Sequence, residues 1–269
     1  MEHDRRTPAQ YVRGLRWGLR SRWADHASYL AFSRQRHPLG VVTAETELVI
    51  EGFMRSANTF TTVAFQTSQP HPVRLAHHLH APAQIIAAAR MQIPALVPIR
   101  APKDAAISVT IRSPQVSLRQ ALQAHMRFHE AILPYRNEIH VALFDDVTTD
   151  LGIVIEAMNA RFGTGFAPFR HTPENVQYVY DLIDERARYP AHADAIRRFV
   201  SGTITYEQLT EARTHANGTV SVLAENRVAR PSESRRRSQE LLAERYMDPR
   251  LADLRERADA AYQRLAFGD

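Results

Sequence analysis

Four short apolar runs, each followed by a stretch of helical periodicity, constrain this chain more than any other feature. The runs are Glu47–Phe53, Val73–Ala76, Ala95–Arg100 and Ile139–Phe144. Their length and aliphatic content suit strands buried on both faces. The segments Asn58–Gln66, Ala81–Arg90, Lys103–Ile111, Ser117–Leu133 and Thr149–Phe162 read as helices, the last ending at Gly163. Such alternation implies βαβ units, because parallel neighbours need a crossover between them. The expected fold class is α/β: three layers, with a central, mostly parallel sheet flanked by helices and a helical C-terminal part beyond Thr172. Pro98 is awkward in the third run, since it cannot donate to a ladder.

The chain's charge is concentrated at one end. Residues 1–40 hold eight arginines against three acids, matching the formal net charge of +5 for the whole chain. The remainder is close to neutral, which does not suit an extended nucleic-acid surface, and no nucleic-acid partner is expected. Val12, Leu15, Leu19, Trp23, Ala27 and Leu30 recur at helical spacing, with Arg13, Arg16 and Arg20 on another face. Residues 1–40 therefore read as a basic amphipathic helical extension, with a single helix over 9–34, and residues 41–269 as the main domain. The extension suits either packing on that domain or contact with an anionic membrane surface.

The absence of cysteine excludes disulfides, thiolate metal sites and thiol nucleophiles. No run approaches the ~18 apolar residues of a membrane span. Residues 1–22 lack the apolar centre of a secretory signal, so the cytoplasm is the expected compartment. Towards the other end, Asn217-Gly218 suggests a turn, Ala229–Arg237 a mobile arginine-rich loop, and Glu240–Leu265 one helix.

Two segments carry the chemistry. The first strand runs into Gly52-Phe-Met-Arg-Ser-Ala-Asn-Thr-Phe60. A strand, a polar turn and a helix start present outward N–H groups and a favourable dipole to an anion. Arg55 adds a cationic fork, and Ser56, Asn58 and Thr59 add side-chain donors. The GxxxxGK[ST] spacing is absent. The same stretch also fits an ordinary turn with Asn58 as the helix cap. The third strand likewise delivers Arg100 to its carboxyl end, where a helix begins at Pro102, and two helical turns bring Ser108 near it. This segment also fits a plain helix start, with Asp104 favouring the dipole.

Together, in this order, these segments resemble the sulfotransferases that use 3′-phosphoadenosine 5′-phosphosulfate (PAPS). Arg55-Ser-Ala-Asn-Thr-Phe60 is similar to the family's 5′-phosphosulfate loop. Arg100-Ala-Pro-Lys-Asp-Ala-Ala-Ile-Ser108 is similar to its 3′-phosphate motif. Arg74-Leu-Ala-His-His-Leu79 resembles the segment that carries the catalytic base, and Phe144-Asp-Asp-Val147 a motif at the end of a later strand.

The resemblance covers residues 46–165. It implies a P-loop-like fold, a sulfotransferase domain over 41–269, and transfer of a sulfuryl group from PAPS to a hydroxyl or amine of a small-molecule acceptor. Adenosine 3′,5′-bisphosphate would be the product, and no metal would be needed. It implies Arg55 and His78 as catalytic residues. Arg55, Ser56, Ala57, Asn58 and Thr59 would line the 5′-phosphosulfate site, and Phe60 would stand where an aromatic stacks on adenine. Arg100 and Ser108 would hold the 3′-phosphate.

Three departures stand out. Ala57 replaces the loop glycine, so the turn must avoid positive φ or bear strain. Ala76 replaces a lysine beside the base. The family's C-terminal clamp is absent, leaving Arg227 or Arg230 as substitutes. Two other readings compete. A small-molecule or nucleotide kinase would need a loop lysine and a magnesium carboxylate, for which Asp145 and Asp146 are candidates. A non-catalytic protein would bind anionic partners through its basic arm. His78 and His80, two apart on a strand, also suggest a two-ligand metal site, which lacks an acidic partner nearby in sequence.

Overall fold

The computed structural model describes residues 7–215 and 233–268. Four parallel strands form one sheet in the order β2-β1-β3-β4: β1 Leu48–Ile50, β2 Leu75–His77, β3 Ala95–Ile99 and β4 His140–Leu143. Alternate strand residues feed two cores, as the pleat requires. Val49, Ala76 and Val97 pack beneath α4 (Pro82–Arg90), α5 (Pro102–Arg112), α6 (Leu118–Ile132) and α13 (Ala252–Phe267). Leu48, Ile50, Leu75 and Leu96 pack beneath α3 (Asn58–Ser68), α8 (Leu151–Phe162), α9 (Pro173–Arg188) and α10 (Pro190–Val200). The layering is thus helix, sheet, helix, the class expected from the strand and helix alternation.

Pro98 is tolerated because of where β1 stops. The carbonyls of Pro94 and Leu96 accept from Val49 and Glu51, so the alternation of a parallel ladder turns Pro98 to the same side. Pairing with β1 ends at Ile50↔Leu96. The missing N–H therefore faces a strand that has already left the sheet.

Several elements depart from the sequence expectation. The 9–34 helix is two: α1 (Pro8–Trp23) and α2 (Ala27–Arg36). His26 breaks it by taking extended backbone and accepting Ser28 N–H on its ring. The buried Ala24 carbonyl accepts Ala83 N–H, pinning the break to α4. The Thr149–Phe162 helix is divided by Asp150, which ends α7 (Phe144–Thr149) and caps α8. Gly163 does close α8 in the left-handed region, at φ 66°.

The expected loop at 229–237 is helical from Glu233, where α12 (Glu233–Tyr246) begins, and an i,i+4 ion pair joins Arg237 to Glu233. Pro249, in a short 3₁₀ turn, separates α12 from α13, so 240–265 is not one helix. The suggested turn at 217–218 and residues 229–232 lie outside the described residues. Beyond α10, α11 (Tyr206–His215) continues the helical C-terminal part.

The extension does not stand apart. Gly14 of α1 is buried, and Gln120 of α6 donates to its carbonyl at 3.1 Å. Tyr29 of α2 is fully buried, packed with Val41, Leu79 and Ala81.

Candidate functional site

All four strands are parallel, so their carboxyl ends share one edge. The chain leaves β1 towards β2 on one side and β3 towards β4 on the other. The crevice between these departures is the switch point at which open α/β sheets bind ligands. The Gly52–Ala57 loop and Arg100 both emerge there.

The loop is built by close approach and strain. A Cβ on Gly52 would lie 2.2 Å from the Pro98 carbonyl oxygen, so only glycine lets the chain leave the sheet at this point. Asn58 Nδ2 donates to the carbonyls of Gly52 and Phe53, at 3.2 and 2.9 Å. Asn58 therefore laces the loop together and does not cap α3. The cap position is Ala57, at φ 65° and ψ 10°. The strain allowed for at the missing glycine is present. Arg55, His78 and His80 are also left-handed. Each such residue costs on the order of 1 kcal/mol or more, and such residues cluster where function requires them.

The two motif segments meet. Arg55 Nε donates to Ser108 Oγ at 3.0 Å, and Arg100 Nη1 donates to the Arg55 carbonyl at 3.3 Å. The Arg100 guanidinium lies over the Phe144 ring, 4.1 Å from its centroid, so the later motif reaches the same edge. His125 of α6 holds the Arg100 backbone, its Nε2 donating to the Arg100 carbonyl at 2.9 Å. Ser56 Oγ is fully buried with no hydrogen-bond partner among the described residues. An unmatched hydroxyl beside the α3 N-terminus is a donor awaiting an acceptor. Phe60 is buried in a ring cluster with Phe169, His171 and Tyr180.

The end of β2 and the turn after it supply three histidines, His77, His78 and His80. Thr59 Oγ1 lies 2.9 Å from His78 Nε2, and the Nδ1 atoms of His77 and His78 are 2.7 Å apart, sharing one proton. Burial holds all three rings neutral, His77 near 3 and His80 near 4, with His78 well below its usual value. The field of Arg186, on α9, lowers His77 and His78 further. His80 has a fixed tautomer. Its Nδ1 lies 3.0 Å from the Gly52 carbonyl, which only accepts, so Nε2 carries the lone pair. β2 ends at His77, so His78 and His80 do not share a strand face. No group of three or more metal-ligating side chains occurs among the described residues.

Sequence reasoning missed two residues here. Glu51 is fully buried at the end of β1 and accepts from Leu79 N, His80 N and Gln84 Nε2, at 2.8 to 3.0 Å. Burial pushes its carboxyl up to about 8 against those donors. Its signal was a glutamate inside an apolar run. Arg186 had no local signal. A cleft of about 210 Å³ adjoins the loop, lined in part by Trp17, Arg20, Tyr29, Phe53, His80 and Arg127. His80 therefore faces the cleft, whereas His78 faces the loop through Thr59. Arg227 and Arg230 lie outside the described residues.

Fold and site define an α/β protein with a basic, hydroxyl-bearing loop at the switch point of a parallel sheet. No family model and no curated protein matches the chain. Among solved structures it is similar to mouse sulfotransferase SULT7A1 complexed with PAP, at 12% identity and a TM-score of 0.38. That match covers 82% of this chain and 91% of the other. So distant a likeness carries no weight for the chemistry, which rests on this chain's own side chains.

Proposed function

We propose that the protein is a PAPS-dependent sulfotransferase acting on a small-molecule hydroxyl or amine. The observation that carries this reading is the convergence of Arg55, Ser108 and Arg100 at the crevice between β1 and β3. The buried, unmatched Ser56 hydroxyl beside them fits an anionic oxygen. Arg55, Ser56, Thr59 and the first N–H groups of α3 would hold the 5′ end of PAPS, and Arg100 with Ser108 its 3′-phosphate. When bound, PAPS supplies an activated sulfuryl group. Asn58 acts indirectly, by fixing the loop. Phe60 takes part in an adenine site only together with its aromatic neighbours.

The chain's own residues perform the rest. Arg55 places fixed positive charge where negative charge grows during transfer, at no reorganisation cost. Arg186 is the candidate to replace the lysine missing at Ala76, because its field already reaches His77 and His78. A neutral histidine takes the acceptor's proton. The motif resemblance assigns this to His78, which must release Thr59 to accept at Nε2. The cleft favours a second candidate, His80, which lines it and already presents a lone pair on Nε2. The acceptor would lie between α1, the loop and α6, with Trp17, Tyr29 and Phe53 as apolar walls.

Isothermal titration with adenosine 3′,5′-bisphosphate and with ATP tests the assignment. Tight binding of the first alone supports it. Binding of ATP alone transfers the site to a kinase. The alanine variants of His78 and His80 separate the two bases: loss of sulfate transfer of ~100-fold with nucleotide affinity intact marks the one that acts.

A further inference from the structure

Helix α1 exposes more of its large apolar residues than it packs on the domain. Helices of a globular domain bury their large apolar residues and expose small or polar ones. Here the packed face holds one large residue, Trp17, partly buried against the main core, and is otherwise small. Gly14 is buried so closely that a Cβ would lie 2.5 Å from the Gln115 carbonyl oxygen, and Ala24 is buried at the end of the helix. Tyr11, Val12, Leu15 and Leu19 point outward, with Leu19 66% and Tyr11 61% exposed, while Trp23 turns back onto the rings of Tyr29 and Phe32 of α2. At 100° per residue these four cover one stripe roughly 100° wide and about 12 Å long. Exposed Arg16 borders it on one side and exposed Arg22 continues its line towards the end of the helix, while Arg13 lies nearer the packed face, and the first turn holds no acid. The excess charge of the whole chain resides in this extension.

We propose that α1 docks the protein on an anionic lipid bilayer, lying in the interface plane with the stripe among the acyl chains. Charge complementarity commits the surface to this occupant. An apolar stripe alone serves a second protein equally well, but exposed Arg16 at its margin and Arg22 in its line match acidic headgroups at the depth the stripe would reach.

The test is co-sedimentation of the full chain with vesicles of phosphatidylcholine alone, and of phosphatidylcholine with phosphatidylglycerol at 30 mol% (about a third anionic, as a charged leaflet demands). Binding is expected on the mixed vesicles and is expected to weaken with salt. The double variant Leu15→Glu with Leu19→Glu is expected to lower that binding at least ~30-fold. The pair Arg16→Gln and Arg22→Gln is expected to lower it about 5-fold per arginine, the equivalent of roughly 1 kcal/mol each. Circular dichroism verifies that each variant is folded. No binding to mixed vesicles overturns the proposal, as does equal binding to neutral ones. So does a wild-type dimer in sizing chromatography that the leucine variant dissociates, since the stripe would then be a surface between two copies.

Discussion

His129→Leu tests how the buried histidines behind Arg100 are held. His125 and His129 stack on α6 with ring centroids 3.9 Å apart, and both are fully buried. His129 Nδ1 donates to the His125 carbonyl at 2.7 Å, while its Nε2 is buried without a partner among the described residues. Burial lowers His129 from its ordinary 6.5 to about 4. A histidine depressed by folding stabilises the native state above 6.5 and loses that contribution as pH falls towards the folded value. Between pH 7 and pH 5 the loss through His129 alone is about 2 kcal/mol. Leucine has a similar volume and removes both the titration and the unmatched nitrogen, so the cost at pH 7 should be under about 1.5 kcal/mol. Urea unfolding followed by far-ultraviolet circular dichroism at the two pH values gives the answer. The variant should gain about 2 kcal/mol on the wild type between pH 7 and pH 5. A stability difference that does not change with pH would refute the reasoning.

Other perturbations read the loop directly. Ala57→Gly should raise stability by about 0.5–1 kcal/mol in thermal unfolding, because glycine removes left-handed strain at φ 65°. Gly52→Ala should cost roughly 3 kcal/mol and abolish nucleotide binding in titration, since its Cβ meets a backbone oxygen that cannot move aside. Arg100→Ala should weaken adenosine 3′,5′-bisphosphate by about 2–4 kcal/mol in calorimetry while sparing adenosine 5′-phosphate; equal weakening of both would make Arg100 a structural residue. Glu51→Gln should flatten the decline in stability between pH 4.5 and about 8. A carboxyl raised by burial stabilises below its ordinary value and loses that contribution as pH rises through the folded one.

The sequence by itself determined the layered architecture, because hydrophobic periodicity is local: each apolar run or helical stripe states its own geometry whatever surrounds it. It also determined the two arginine-bearing segments, since a strand feeding a helix start is readable from adjacent residues. Only the tertiary structure decided what requires distance. It brought Arg55 to Ser108, set Glu51 under the histidine turn, and carried the field of Arg186 to His78 from α9. It also turned Asn58 inward, because the loop's own carbonyls needed a donor that no linear pattern could specify. Periodicity found the amphipathic character of residues 9–34 but not which face packs. That was decided by Gly14, whose missing side chain lets α1 approach the Gln115 carbonyl and leaves Leu15 and Leu19 facing out.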